Sequence, residues 1–219
     1  AVSETGKTID QADPEASEAI DFAYFYADQA QQLDTIDGAA FQPIPLTLVT
    51  PPWNFPLAIP AGSTLAALAA GSAVVLKPAP AARRCAGVLA ELMWEAGVPR
   101  DALTLVDLGE DELGRELISD SRVDQVILTG AFQTAELFRS FRPGLQLLAE
   151  TSGKNAIIVT PSADFDLAVK DIVSSAFGHA GQKCSAASLV VLVGSVAHSQ
   201  RFINQLVDAT TSLRVGSEF

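Results

Sequence analysis

Short apolar runs and helical patterns alternate through the middle of this chain, and that alternation restricts the folds open to it more than any other feature. Runs suited to strands fall at 46–50, 73–76, 103–108, 126–128 and 145–149. Patterns with helical spacing lie between them at 63–70, 82–96, 111–119 and 134–141. Gly97 and Pro99 close the second of these helices, and Pro143-Gly144 closes the fourth. A strand, a helix and a second strand in the same sheet connect by a right-handed crossover, so the strands run parallel and helices cover both faces. The expected fold class is α/β with a parallel, doubly wound sheet.

The flanks read differently. Residues 1–12 carry no clear period and are expected to fray. Asp13-Pro14-Glu15 has the chemistry of a helix start, with an acid at the cap and proline in the first helical position, so a helix is expected from there to about Leu33. After Thr151 a second region reads strand 156–159, helix 166–177, a loop, strand 189–193 and helix 199–211. Two strands and two helices bury little core by themselves. The chain is therefore expected to be a piece of a longer protein, with its second unit incomplete.

Composition narrows the function. The formal net charge is −12 and the isoelectric point about 4.4, a surface that repels phosphate backbones, so nucleic acid is not an expected partner. Between Asp37 and Lys77 no residue is charged, yet six prolines interrupt the first half of that stretch. The uninterrupted run that remains, 62–76, is shorter than the roughly 20 residues of a membrane span, so no membrane span is expected. Neither a basic-then-apolar leader pattern nor a C-x-x-C spacing is present. The two cysteines stand in unlike settings, so no disulfide and no metal site are expected, and the compartment is read as reducing and cytoplasmic.

Those two cysteines differ in what surrounds them. Cys85 shares an apolar helical stripe with Val88, Leu89, Leu92, Met93 and Ala96, the setting of a small core residue. Cys184 lies in Gly178-His179-Ala180-Gly181-Gln182-Lys183-Cys184-Ser185-Ala186, among glycines and polar residues, where a thiol is reachable and can act as a nucleophile. Glu150, which follows the run 145–149, is the candidate base. Delivered by a buried strand it would be partly desolvated, and an exposed strand end is the alternative. Asn54, in Pro52-Trp53-Asn54-Phe55-Pro56, is the candidate amide donor. Thr129-Gly130-Ala131 opens a helix and suits a phosphate, or is a plain turn. Lys77, at a strand end before Pro78, points to the same sheet edge, or is simply solvated. A dyad of Cys184 with His179 is disfavoured if the preceding helix runs through His179.

Five motifs in order, Pro52-Trp53-Asn54-Phe55-Pro56, Lys77-Pro78, Thr129-Gly130, Glu150-Thr151-Ser152-Gly153-Lys154 and Gly181-Gln182-Lys183-Cys184-Ser185-Ala186, resemble the aldehyde dehydrogenase superfamily. The last two look most like the pyrroline-carboxylate (glutamate semialdehyde) dehydrogenase module of bifunctional proline-utilisation proteins. The resemblance implies an N-terminal helical segment at 1–40, a Rossmann-like dinucleotide-binding domain at 41–150, and the first part of a catalytic domain at 151–219. It implies Cys184 as nucleophile, Asn54 as oxyanion donor and Glu150 as base for the hydrolytic water. Thr50, Pro51, Trp53, Lys77, Thr129, Gly130, Ala131 and Thr151 fall at positions that face the cofactor, NAD or alternatively NADP, and Ser185 at a substrate contact.

Two positions depart from the pattern. Pro80 stands where an acid is common and Ala131 where a serine is common. The resemblance implies an aldehyde substrate, L-glutamate γ-semialdehyde, a homo-oligomeric parent enzyme, and in the bifunctional case a proline dehydrogenase domain in the same parent chain. Little activity is expected from the 219 residues alone. An acyl-phosphate reductase on the same scaffold and a non-catalytic cofactor- or partner-binding module are the rival readings.

Overall fold

A computed structural model describes residues 1–109 and 111–216. Two units emerge, Ala1–Thr151 and Ser152–Phe219. The last three positions of the expected 151–219 segment lie outside the described residues.

The first unit begins with α1 (Val2–Thr5) and α2 (Ile9–Ala30), followed by β1 (Leu46–Thr50), α3 (Ala58–Ala69), β2 (Ala73–Leu76), α4 (Arg83–Glu95), β3 (Leu103–Leu105), α5 (Glu112–Ser119), β4 (Gln125–Thr129), α6 (Phe132–Phe141) and β5 (Gln146–Glu150). The five strands form one parallel sheet in the order β3-β2-β1-β4-β5. This is the parallel α/β sheet that the alternation predicts. Neighbouring residues of β1 face opposite ways, as strand geometry requires. Val49 joins a core with Val74, Leu76, Leu103, Ala61, Ala86 and Met93, which lie on β2, β3, α3 and α4. Leu48 joins a second core with Val126, Leu128, Ile118, Ala135 and Phe138, which lie on β4, α5 and α6. Helices therefore cover both faces, and the central strand is buried along most of its length.

The N-terminal segment departs from expectation. Residues 1–12 do not fray: α1 forms, and Lys7 and Ala12 are buried. The second helix starts at Ile9 with Thr8 at its cap, so Pro14 lies inside it. Proline there removes a helical hydrogen bond. Burial of the following turn offsets that loss, because Glu15 is fully enclosed and bonded. The helix also stops earlier than expected, at Ala30, and a 3-10 turn at Leu33–Thr35 follows. Where α2 meets α3, Gly62 allows the close approach: a Cβ there would stand 3.0 Å from the Phe22 ring.

Both sheet edges also differ. The strand expected to reach residue 108 ends at Leu105, since it pairs on one side only and its last partner bond is Val106 N–H to Leu76 O at 3.0 Å. At the other edge β5 is mostly exposed.

The second unit holds β6 (Asn155–Val159), α7 (Phe165–Phe177), β7 (Ala187–Leu192) and α8 (Gln200–Thr211). The two strands pair in parallel. Val159, Val169, Ile172, Val196 and Phe202 form its core. Asp164 caps α7 by accepting from the N–H groups of Asp166 and Leu167, and Ser199 caps α8 through Phe202 N–H.

Candidate functional site

The order of the strands defines the most informative edge of the first unit. From β1 the chain winds outward through β2 to β3, then crosses back to lay β4 on the other side of β1. The carboxyl ends of β1 and β4 therefore flank a topological switch point, where ligands bind in open α/β sheets. Thr50 and Thr129 end these two strands. Thr50 is buried, and its hydroxyl donates to Ile127 O at 3.2 Å, which ties the end of β1 to β4. Pro51 is buried next to it, while Trp53 is 38% exposed.

Beyond Thr129 the chain turns at Gly130 into α6. Gly130 N–H donates to Glu150 O at 3.1 Å, and Thr129 pairs with Glu150 across the strands. The turn and the candidate base are thus joined through the backbone, with Thr151 directly after. Ala131 is the N-cap of α6, and no side chain caps that helix. A serine would turn its own hydroxyl onto the first-turn N–H groups. Alanine leaves the positive end of the helix to an acceptor from elsewhere, and a phosphate suits it.

Lys77 corrects the alternative of a solvated strand end. It is only 8% exposed, and its N–H donates to Val49 O at 2.9 Å. Its side chain runs beside Gly114 in the first turn of α5, where an added Cβ would lie 3.9 Å from Lys77 Cε and 2.6 Å from Gly109 O. Packing of its aliphatic stem beside that turn contributes to the burial of Lys77. Pro80 opens a short 3-10 turn at Pro80–Ala82 and offers no side-chain acceptor.

Glu150 also differs from the desolvated carboxylate that a buried strand would deliver. The edge strand β5 leaves it exposed, with β4 on one side only.

In the second unit Cys184 is exposed, in a turn with Ser185, whereas Cys85 in the first unit is buried and burial pushes its thiol up from the usual range. The Cys184 turn is held in shape. Asn155, at the start of β6, donates through Nδ2 to Cys184 O at 2.6 Å and to Ala186 O at 3.2 Å. Ala187 N–H donates to Ser175 Oγ at 3.3 Å. Upstream, α7 stops at Phe177 and the chain reverses through three consecutive left-handed residues, His179 (φ 54°), Ala180 (φ 54°) and Gly181 (φ 70°). The helix therefore does not run through His179, the condition on which the argument against a dyad rested.

Two further residues matter here, Lys7 and Glu15, of which local pattern marks only Glu15, and that as part of a helix start. Lys7 Nζ donates to Asn54 O at 3.0 Å and pairs with Glu15 at 2.8 Å, with both side chains enclosed. Glu15 in turn accepts from Leu57 N–H at 2.6 Å and Ala58 N–H at 3.1 Å. The available signal was that Lys7 is the only lysine or arginine before Lys77. Among the described residues no group of three or more His, Cys, Asp and Glu is arranged to hold a metal, and no helix is long and apolar enough to cross a membrane.

A parallel sheet with helices on both faces and a topological switch point defines an α/β protein with a candidate ligand edge, and the exposed thiol in the second unit adds a candidate nucleophile. The chain belongs to the aldehyde dehydrogenase family, whose profile matches residues 1–219. It is 37% identical to the 1-pyrroline-5-carboxylate dehydrogenase of Geobacillus thermodenitrificans over 98% of this chain and 45% of the relative. It is also 37% identical to the bifunctional protein PutA of Salmonella typhimurium, over 99% of this chain and 17% of that protein. Among solved structures, Proline Utilization A from Corynebacterium freiburgense superposes with a TM-score of 0.94 at 57% identity, covering 98% of this chain and 22% of that one. A 1-pyrroline-5-carboxylate dehydrogenase from Thermus, solved with bound NAD, superposes with a TM-score of 0.90 at 32% identity, covering 99% and 45%. The chain thus spans less than half the length of these relatives.

Proposed function

We propose that this chain is the cofactor-binding and nucleophile-bearing part of an NAD-dependent aldehyde dehydrogenase that oxidises L-glutamate γ-semialdehyde to L-glutamate in proline catabolism. The observation that carries the reading is the exposed thiol of Cys184, held in a pinned turn of a chain that belongs to the aldehyde dehydrogenase family. The names of the similar proteins support the choice of substrate, and PutA relatives support a proline dehydrogenase domain in the same parent chain.

The cofactor reading rests on fit. The uncapped α6 N-terminus and Gly130 suit the pyrophosphate, Lys77 the adenosine ribose, and Thr50, Pro51, Trp53, Ala131 and Thr151 the remaining surface at the strand ends. Bound there, NAD⁺ supplies the hydride acceptor. With Pro80 lacking the usual acceptor for a ribose hydroxyl and Ala131 the usual hydroxyl donor to a phosphate, backbone N–H groups and Lys77 carry more of the binding.

Cys184 acts as thiolate. Its sulfur adds to the aldehyde carbon, and the carbonyl electron pair moves onto oxygen. The Asn54 amide and the Cys184 N–H donate to that oxyanion and stabilise it as charge develops. Loss of hydride from the same carbon leaves a thioester on Cys184. Glu150 takes a proton from water, the resulting hydroxide adds to the thioester carbon, and the carboxylic acid departs as the thiolate is restored. An exposed Glu150 suits this step, because it must meet water. Ser185 lies beside the nucleophile as a substrate contact.

The test is an NADH assay on the product of the full reading frame, comparing L-glutamate γ-semialdehyde with acetaldehyde and succinic semialdehyde. A kcat/KM for glutamate semialdehyde at least tenfold above the others is the expected result. Equal rates would overturn the substrate, and no NAD⁺-dependent oxidation of any of the three would overturn the reaction.

A further inference from the structure

We infer that the enclosed Lys7–Glu15 pair is a positioning device for the Asn54 loop, so that two residues of the N-terminal segment set the aim of the oxyanion donor. This rests on the role proposed for Asn54. The contacts of the pair converge on one stretch of chain. Lys7 Nζ donates to Asn54 O at 3.0 Å, meets Glu15 Oε2 at 2.8 Å, and sits 3.9 Å over the centroid of the Phe55 ring. Glu15 Oε1 accepts from Leu57 N–H at 2.6 Å and Ala58 N–H at 3.1 Å, where α3 begins without a side-chain cap of its own. Four of the five consecutive residues 54–58 are therefore gripped by one ion pair from α2 and the turn before it.

Simple docking of α2 onto α3 does not call for these charges. Both side chains are fully enclosed, with 0% and 1% of their surface accessible. Taking two ions out of water costs several kcal/mol each, and well-packed apolar residues often serve stability as well or better. Phe22 against Gly62 already provides an apolar contact between the two helices. A charged pair adds direction: an ammonium fixes a carbonyl, and a carboxylate fixes two N–H groups. Asn54 carries its side chain on the Cα next to the carbonyl that Lys7 holds. Fixing that carbonyl fixes the root of the amide, and errors of about 1 Å in such a group can cost on the order of 100-fold in rate.

Lys7 and Glu15 are therefore positioning residues, and the test must separate aim from mere support. Hydrogen exchange is measured on the 219-residue chain and its variants, and steady-state kinetics on the product of the full reading frame. Lys7→Met keeps the side-chain length and removes the charge. Because it strands Glu15, the neutral double variant Lys7→Met/Glu15→Gln accompanies it and guards against simple misfolding. The expected result for the double variant is exchange at least tenfold faster at 54–58 with β4 and α6 unchanged. The same variant should lose at least tenfold in kcat while KM stays within about twofold. Unchanged exchange at 54–58, or faster exchange with kcat preserved, would overturn the inference. Asn54→Ala is the separate arm: if it leaves kcat intact, the role of Asn54 itself fails, whatever the exchange data show for the loop.

Discussion

Moving a methyl group at one position of the Cys184 turn should cost more than most surface changes in this protein. Gly181 has φ 70°, and a Cβ built on it would meet Ala176 O at 2.8 Å. An L-residue with a side chain pays about 1–2 kcal/mol for the left-handed region. The contact adds about 1–3 kcal/mol, because the atom struck is backbone at the end of α7 and cannot swing aside. Gly181→Ala should therefore destabilise the second unit by about 2–5 kcal/mol. The reciprocal change, Ala180→Gly, removes a methyl from an exposed residue already at φ 54°. Relief of the same backbone strain is partly cancelled by the extra freedom of glycine in the unfolded chain, so it should fall within about 1 kcal/mol of the parent, on the stabilising side. Urea denaturation followed by hydrogen exchange in α7 and β7 measures both. A Gly181→Ala cost under 0.5 kcal/mol, or an Ala180→Gly cost above 1 kcal/mol, would show that the left-handed reversal does not shape this turn.

Limited iodoacetamide labelling of the folded chain, mapped by peptide mass, should modify Cys184 at least tenfold faster than Cys85, because Cys85 is enclosed and burial holds its thiol protonated. Faster modification of Cys85 would contradict the assignment of the reactive thiol. Lys77→Ala should weaken NAD⁺ binding by about 1–2 kcal/mol in calorimetry, provided the variant melts as the parent does. Tight binding untouched by the change would refute the placement of the cofactor between Lys77 and Gly130.

The sheet was legible because each strand is a separate apolar run and three of the four helices between the strands, α3, α4 and α6, close on a glycine or proline signal. Gly97 and Pro143-Gly144 mark two ends that fall within a residue or two of the observed ones. The contrast between the cysteines was legible for a related reason: Cys85 repeats with a helical stripe of large apolar residues, and Cys184 sits among glycines, alanines and polar residues. The misreadings share a different cause, since each depends on partners distant in sequence. Lys7 lies inside because Glu15 and the 54–58 backbone surround it, and nothing within residues 1–12 records that. Pro14 has the local chemistry of a helix start, whereas the bonds that Glu15 accepts from Leu57 and Ala58 N–H stabilise the turn around it. Glu150 stayed open between a desolvated carboxylate and an exposed strand end, and the second holds because β5 is an edge strand, a strand order that local pattern does not record. The left-handed His179-Ala180 pair carries no residue-type signal, since neither residue is a glycine.

The central claim is that Cys184 carries the acyl group and Glu150 releases it, and the Glu150→Gln variant of the full reading-frame product tests both together. Mixed with L-glutamate γ-semialdehyde and NAD⁺, then quenched in acid, it should give a burst of about one NADH per active site. Steady turnover should fall by about 10²–10⁴-fold, the usual contribution of a general base. Peptide mass mapping should find the glutamyl acyl group on the fragment holding Cys184, because the thioester forms but is no longer hydrolysed. An unmodified Cys184 alongside a full burst, or steady turnover equal to that of the parent, would contradict the account.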